Sequence, residues 1–159
     1  MLMRRTIGCF VLLFCLLHGR VSGQTDSCRV VFYNVENLFD TRKDSLIADG
    51  GFTPRGKMYW TKERYYRKIL NVSRVLLASE RLPTIIGLAE VENRQVLLDL
   101  IRKTGLVDGN YGIVHEDSPD ARGIDVALLY NTTVFRELRS QFFPVELGRG
   151  ETTRDILYC

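Results

Sequence analysis

Short apolar runs alternate along the chain with longer segments in which apolar residues recur at helical spacing. Residues 61–80 carry apolar side chains three and four positions apart, which predicts an amphipathic helix with Thr61 as its N-cap. The same spacing predicts a helix over residues 93–105, with Asn93 at its start and Gly105 at its end. Six runs too short for helices predict strands, at residues 28–34, 83–90, 111–116, 125–131, 141–147 and 154–159. This order of elements predicts an α/β fold whose later part includes antiparallel strands.

The connection over residues 36–60 has no sustained hydrophobic period and contains several glycines and a proline. Connections longer than about 12–15 residues are uncommon unless they serve a site or are disordered. Aromatic side chains argue against disorder here, so we expect this segment to serve a site. An aromatic cluster spans the end of this connection and the start of the next helix, and it could stack on a base or a lipid headgroup. Packing of the loop against the next helix is the favoured interpretation of this cluster, which comprises Tyr59, Trp60, Tyr65 and Tyr66.

The first 23 residues have the three parts of a secretory signal peptide. Arg4 and Arg5 supply a charged start, an apolar run follows, and the segment ends on the small residues Ser22 and Gly23. A membrane anchor is the alternative, but the apolar run is shorter than the roughly 20 residues that span a bilayer. We therefore expect cleavage before Gln24, export to the periplasm or the extracellular space, and no membrane span afterwards.

The charge of the chain depends on this leader. The full sequence has 22 basic and 19 acidic residues and a formal net charge of +3. Removal of Arg4, Arg5 and Arg20 leaves the remaining chain, residues 24–159, formally neutral. A generally basic surface is thus excluded as a basis for nucleic-acid binding, which would need a local patch or a metal ion.

Two cysteines lie beyond the leader, Cys28 and Cys159. An exported protein could join them in a disulfide. Two cysteines do not make a disulfide framework, however, so the sequence does not decide between a bridge and free thiols.

Oxygen ligands follow two of the predicted strands, Asn34 after the first and Glu90 after the second. In open α/β sheets, sites collect at the carboxyl ends of the strands. A carboxylate with an amide carbonyl suits a hard cation such as Mg²⁺ or Ca²⁺, and Mg²⁺ needs only one or two protein carboxylates. The alternative is that Asn34 is a turn residue and Glu90 an acid in the first turn of a helix.

Five stretches of the chain together resemble the endonuclease/exonuclease/phosphatase superfamily, the deoxyribonuclease I-like hydrolases, and most nearly its secreted bacterial members. The resemblance implies a four-layer α/β sandwich, in which two packed mixed sheets are flanked by helices. It also implies hydrolysis of phosphate esters with a divalent metal, usually Mg²⁺. The stretches are, in order, FYNVENLFDT, GFTPRGKMYWTKERYYRKILNV, IIGLAEVEN, RGIDVALLY and TTRDILY.

The resemblance also implies roles for individual residues. Glu90 matches the metal-binding glutamate of the superfamily, and Asn34 matches its asparagine near the metal and the phosphate. Arg122 lies in a recurring stretch, where it either contacts a substrate phosphate or is a solvated turn residue. His115 does not match the catalytic histidines of the superfamily, and a surface or strand-end position is favoured for it. Asp125 is expected to act in a turn or in strand register.

The superfamily also has catalytic residues that lie further along its sequences: a histidine, an aspartate–asparagine pair and a last aspartate and histidine. We therefore expect residues 24–159 to be the amino-terminal part of the domain, with its second half missing and no complete catalytic set. An inactive fragment of a phosphoesterase is the first interpretation, and a complementing second chain is another. A non-catalytic exported binding module that self-associates is a third. The substrate, whether nucleic acid, lipid headgroup or sugar phosphate, stays open.

Overall fold

The computed structural model describes residues 27–44, 47–148 and 151–159. The signal peptide expected at residues 1–23 lies outside these ranges. Within them, no helix combines the length and the apolar character needed to cross a membrane. Cys28 and Cys159 are both exposed free thiols.

The described residues form six strands and two α-helices, and the predicted α/β class is confirmed. Two short 3-10 turns lie at Gly50–Phe52 and Gly105–Gly109. The helices are α1 (Lys62–Leu76) and α2 (Arg94–Arg102). The strands are β1 (Val30–Leu38), β2 (Ile85–Val91), β3 (Tyr111–His115), β4 (Asp125–Asn131), β5 (Gln141–Phe143) and β6 (Ile156–Tyr158).

The first four strands form one mixed sheet in the order β1-β2-β4-β3. β1 and β2 are parallel, whereas β4 runs antiparallel to both β2 and β3. The carboxyl ends of β1, β2 and β3 therefore meet the start of β4 along one border of the sheet. We call this border the site edge, because the polar residues singled out in the sequence collect along it.

Both helices contribute to the buried core on one face of this sheet. Ile86 and Leu88 of β2 point to that face and pack in one cluster with Ile69, Leu97 and Leu100 of the helices. Burial of these apolar side chains is the main driving force that holds the helices on the sheet.

Local capping sets the helix starts where the sequence predicts them. Thr61 accepts a hydrogen bond from the Arg64 backbone N–H, and Asn93 accepts one from Val96. Both helices end earlier than predicted. Beyond Leu76, the next positions of the apolar stripe of α1 are polar and exposed, so continuing the helix would bury nothing more.

The loop over residues 39–60 is held by aromatic packing. The rings of Phe39 and Phe52 stack at 4.2 Å, and Trp60 meets Phe52 edge-on at 5.8 Å. The Trp60 Nε1 also donates a 2.9 Å hydrogen bond to the Phe39 carbonyl. Trp60 therefore fastens the loop at the start of α1, whereas Tyr59 remains exposed to solvent.

The other face of the main sheet is more open. Phe32 on β1 is 74% exposed, and its ring lies over Gly87 of β2, where a Cβ atom would come within 2.7 Å. A second, two-stranded sheet of β5 and β6 lies beside this face, with Ile156 and Leu157 near Leu128. Both of its strands are shorter than predicted, and β5 ends just before Pro144, which cannot donate to a ladder.

Replacement of the fully buried Leu97 by alanine tests the core. We expect Leu97→Ala to lower the free energy of unfolding by about 2–5 kcal/mol, because it removes buried methyl groups and leaves a cavity. Leu138→Ala is the matched control, because Leu138 is 83% exposed and its loss should cost less than about 0.5 kcal/mol. Equal losses in urea unfolding would contradict this arrangement.

Candidate metal and phosphate site

Glu90 is an extra residue in β2. Ala89 pairs with Val126 and Val91 pairs with Asp125, so Glu90 has no counterpart on β4. Its φ is +68°, a left-handed conformation that costs a non-glycine residue on the order of 1 kcal/mol or more. Strict alternation would turn Glu90 to the same side as the buried Leu88, but Val91 takes the next buried position instead. The bulge therefore keeps the carboxylate out of the core.

A matching irregularity lies on β1. Asn34 pairs with Ala89 and Leu38 pairs with Val91, so three residues of β1 face the single residue Glu90. Two of these three, Glu36 and Asn37, have left-handed φ angles of 55° and 63°. The predicted end of β1 at residue 34 is wrong, because the strand resumes after the bulge and buries Leu38 completely. The polar sequence around the bulge hides this continuation.

The two bulges bring Asn34 and Glu90 into contact. The Asn34 Nδ2 donates a 3.2 Å hydrogen bond to Glu90 Oε1. The Asn34 Oδ1 accepts a 2.9 Å hydrogen bond from the Glu36 backbone N–H. The Glu36 backbone N–H needs an acceptor, which is the amide oxygen of Asn34, and the Glu90 carboxylate needs a donor, which is the amide nitrogen. Both contacts therefore select the same orientation of the Asn34 amide. Asn34 thus orients the Glu90 carboxylate.

Arg154 completes this contact from just before β6. Its Nη1 lies 3.0 Å from Glu90 Oε1 in a partly buried ion pair. Partial burial raises the pKa of Glu90, but hydrogen bonds from Asn34, Arg154 and the Asn37 backbone outweigh it, so the pKa lies below its usual range. Sequence reasoning missed Arg154, although the stretch TTRDILY contains it. Its partner is 64 positions away, and no local pattern connects them.

Arg122 is ion-paired within its own turn. Its Nε and Nη2 donate to Oδ1 and Oδ2 of Asp120 at 2.9 and 2.6 Å, and its side chain is 57% exposed. Burial raises the pKa of Asp120, but the Arg122 contacts outweigh it and the pKa is lowered. Arg122 also interacts with Glu90, through charge rather than through a hydrogen bond. Arg122 therefore lies near the Asn34–Glu90 pair, with Asp120 as its direct partner.

An open cavity of about 430 Å³ borders Asn34 and Glu90. Lys68 of α1 lies on its wall and donates a 3.1 Å hydrogen bond to the Glu36 carbonyl. Phe52 and Trp60 form an aromatic part of the wall. Lys68 is a second cation that sequence reasoning missed, because on a helix it is one of many exposed basic residues.

A comparison with models of protein families matches residues 29–159 to the Endonuclease/Exonuclease/phosphatase family. This chain belongs to that family. Comparisons with curated proteins and with solved structures returned no match. The matched range contains Asn34, Glu90, Arg122 and Arg154, so the site described above lies within the family domain. Proteins of the endonuclease/exonuclease/phosphatase family typically depend on a divalent metal.

A second cavity, of about 630 Å³, lies along the site edge of this family member. Buried Glu92 lines it and accepts a 2.6 Å hydrogen bond from the Asp40 backbone N–H. Burial raises the pKa of Glu92 to about 8, helped by the charges of Asp40, Asp49 and Asp44. Glu92 therefore fastens the loop after β1 to the end of β2.

A histidine and two acids form a further group on this edge. Ligand atoms of His115, Asp117 and Asp125 all lie within 4.8 Å of one another, so this group could bind a metal ion. His115 stands at the end of β3, and its side chain is buried rather than at the surface. Asp125 closes the turn between β3 and β4, because its Oδ1 accepts a 2.8 Å hydrogen bond from the Ser118 N–H.

Removal of Arg154 should raise the pKa of Glu90, because the carboxylate then loses one of the hydrogen-bond donors that oppose the effect of burial. We expect a higher pKa for Glu90 in Arg154→Gln by NMR titration of the carboxyl carbon. Arg81→Gln, whose guanidinium contacts Ser27 instead, is the control. In the wild type, the pKa of Glu90 is lower in the folded state than in the unfolded state. The stability that the ionised carboxylate contributes is therefore fully present above the unfolded-state pKa and is lost as pH falls through the folded-state pKa. An unchanged Glu90 pKa in Arg154→Gln would contradict the ion pair.

The raised pKa of Glu92 predicts that its contribution to the stability of the fold depends on pH in the opposite direction. Its pKa is near 8 when folded and 4.5 in the reference state, so the folded state keeps its proton while the unfolded state releases it. Stability therefore falls as pH rises from about 4.5 to 8. Between pH 5 and pH 8, the wild type should lose on the order of 3 kcal/mol more than Glu92→Gln in urea unfolding. Parallel pH profiles for the two proteins would rule this out.

Proposed function

We propose that the chain carries the metal- and phosphate-binding part of a metal-dependent phosphoesterase, with Glu90 as the anchor of a hard divalent cation, preferably Mg²⁺. One observation carries the proposal: a left-handed bulge turns the Glu90 carboxylate out of the core, where Asn34 and Arg154 hold it. Strained conformations of this kind persist where the surrounding structure enforces them, and they cluster at functional sites. Bulges next to active sites likewise re-aim side chains.

The residues present fit Mg²⁺. Glu90 supplies a hard oxygen, and its lowered pKa keeps the carboxylate ionised at neutral pH. Mg²⁺ commonly uses one or two carboxylates and fills its other positions with water and substrate phosphate. The bound ion would supply stabilisation of negative charge on the phosphate oxygens. Asn34 keeps the carboxylate aimed, and its role as a second metal ligand remains a prediction.

The surrounding cations fit a phosphate group. Arg154 and Lys68 both contact acceptors at the border of the same cavity, and a phosphate there could accept hydrogen bonds from either. A metal ion at Glu90 would compete with the Arg154 guanidinium for the carboxylate. This competition would favour movement of the guanidinium from Glu90 to the phosphate. Arg122 is our third proposed phosphate contact, which requires that it exchange Asp120 for the substrate.

A non-catalytic binding module is the second candidate function. Within the described ranges, the Glu90 carboxylate is held by an amide, a guanidinium and a backbone N–H. These groups bind and orient a ligand, but an amide, a guanidinium and a backbone N–H are hydrogen-bond donors here and do not act as a general base. The two functions differ in whether a phosphate ester is hydrolysed or only bound.

We propose the four-layer sandwich as the fold that accompanies this function. Its support is the open, apolar face of the main sheet and the small β5–β6 sheet that lies beside it. Export, to the periplasm or the extracellular space, is proposed from the leader pattern of residues 1–23. Extracellular nucleic acid is then one candidate phosphate ester, and self-association through the open face is one candidate partnership.

Glu90→Gln tests the proposed function. We expect the wild type to bind Mg²⁺ in calorimetry and the variant to bind it at least about tenfold more weakly, and any hydrolysis of bis(p-nitrophenyl) phosphate by the wild type should be lost in the variant. Glu80→Gln is the matched control, because Glu80 is exposed on the loop after α1. Mg²⁺ binding without hydrolysis in the wild type would favour the binding module. Equal Mg²⁺ affinity in Glu90→Gln and Glu80→Gln would contradict the assignment of Glu90 as the metal ligand.

A further inference from the structure

His115 has an unexplained buried nitrogen. Its side chain is 3% exposed, and its Nε2 has no hydrogen-bond partner. Asp125 Oδ2 lies 3.5 Å from this nitrogen, which is too far for a good hydrogen bond. Buried polar atoms are nearly always paired, because leaving one unpaired costs free energy. An atom outside the protein chain that binds Nε2 would remove this penalty.

The spacing of the neighbouring acids suits a metal ion. Two ligands about 2.0–2.1 Å from a tetrahedral ion lie roughly 3.4 Å apart. His115 Nε2 and Asp125 Oδ2 already have this separation. Asp117 is exposed, and its ligand atom lies within 4.8 Å of the other two. A rotation of this free side chain would bring the third ligand into place without any movement of the core.

We infer that His115, Asp117 and Asp125 form a second metal centre that binds Zn²⁺ and holds together the loop between β3 and β4. An imidazole nitrogen with two carboxylate oxygens suits Zn²⁺, whereas Mg²⁺ prefers oxygen ligands alone. The ion is therefore of a different class from the one proposed at Glu90. A water molecule would fill its fourth position on the side of the 630 Å³ cavity, which Asp117 and Asp125 line.

The centre would connect three parts of the chain. His115 ends β3, Asp117 lies in the loop, and Asp125 begins β4, so one ion would close the loop at its base. The same loop carries Asp120 and Arg122, whose pairing sets the position of the guanidinium near Glu90. Zn²⁺ would thus stabilise the loop that presents Arg122 to the proposed phosphate site. The inference does not depend on the phosphoesterase proposal, because its test measures binding and stability.

The alternative is a buried ion pair between His115 and Asp125 with no metal. Zn²⁺ titration separates the two. The full-length chain is used with its four cysteines replaced by serine, because thiols also bind Zn²⁺. We expect one Zn²⁺ per chain in a chelator competition assay and a higher melting temperature with Zn²⁺, since a ligand that binds the folded state stabilises it.

Variants assign the ion to its residues. We expect His115→Gln and Asp117→Asn each to weaken Zn²⁺ binding at least tenfold and to reduce the rise in melting temperature. Asp117 is exposed, so its variant should fold normally even where His115→Gln does not. Asp108→Asn, an exposed acid in the turn after α2, is the matched control and should bind Zn²⁺ like the parent.

Glu90→Gln separates the two proposed centres. It should keep its Zn²⁺ affinity, even if the Mg²⁺ assignment of Glu90 fails. The inference is overturned if the parent binds no Zn²⁺ at micromolar concentrations or if Asp117→Asn binds it as tightly as the parent. It is overturned as well if Glu90→Gln abolishes Zn²⁺ binding, because the ion would then occupy the other site.

Discussion

The left-handed bulge at Glu90 is the constraint on which the site depends. In a regular strand, side chains alternate between the two faces, and Glu90 would share the buried face of Leu88. A buried, unpaired carboxylate there would be costly, and the helices could not pack over it. The extra residue instead returns Val91 to the core and leaves the acid outside. The conformational cost is offset by the burial of Val91 and by the three donors that hold the carboxylate.

The bulge also explains why two acids only two positions apart have opposite properties. Glu90 is partly exposed and accepts hydrogen bonds from Asn34, Arg154 and the Asn37 backbone, so its ionised form is stabilised. Glu92 is buried beside other acids, and this stabilises its neutral form at neutral pH although its carboxylate accepts one backbone N–H. The first can hold a cation, and the second can fasten a loop inside the fold. Environment, rather than residue type, separates these roles.

The topology of the sheet gathers different donor sets along one border. Because β4 runs against its neighbours, its first residue stands beside the last residues of β2 and β3. Oxygen atoms that could bind a metal ion therefore collect between β1 and β2, whereas an imidazole nitrogen and two carboxylates collect between β3 and β4. The loop between β3 and β4 joins the two regions through Asp120 and Arg122. Arg154 adds a contact from the segment just before β6, so the site also draws on the part of the chain that leads into the second sheet.

The sequence by itself determined the elements and the acid at the end of β2. Helix caps at Thr61 and Asn93 and the apolar stripes behind them are local patterns, and the structure has both helices starting there. Only the tertiary structure decided that β1 continues past Asn34, that Arg154 meets Glu90 and that the His115 imidazole is buried among acids. The physical reason is that a strand can absorb extra residues wherever pairing with its neighbours compensates for the strain. The contact between Arg154 and Glu90, 64 positions apart, likewise arises from tertiary packing and leaves no periodic trace in the sequence.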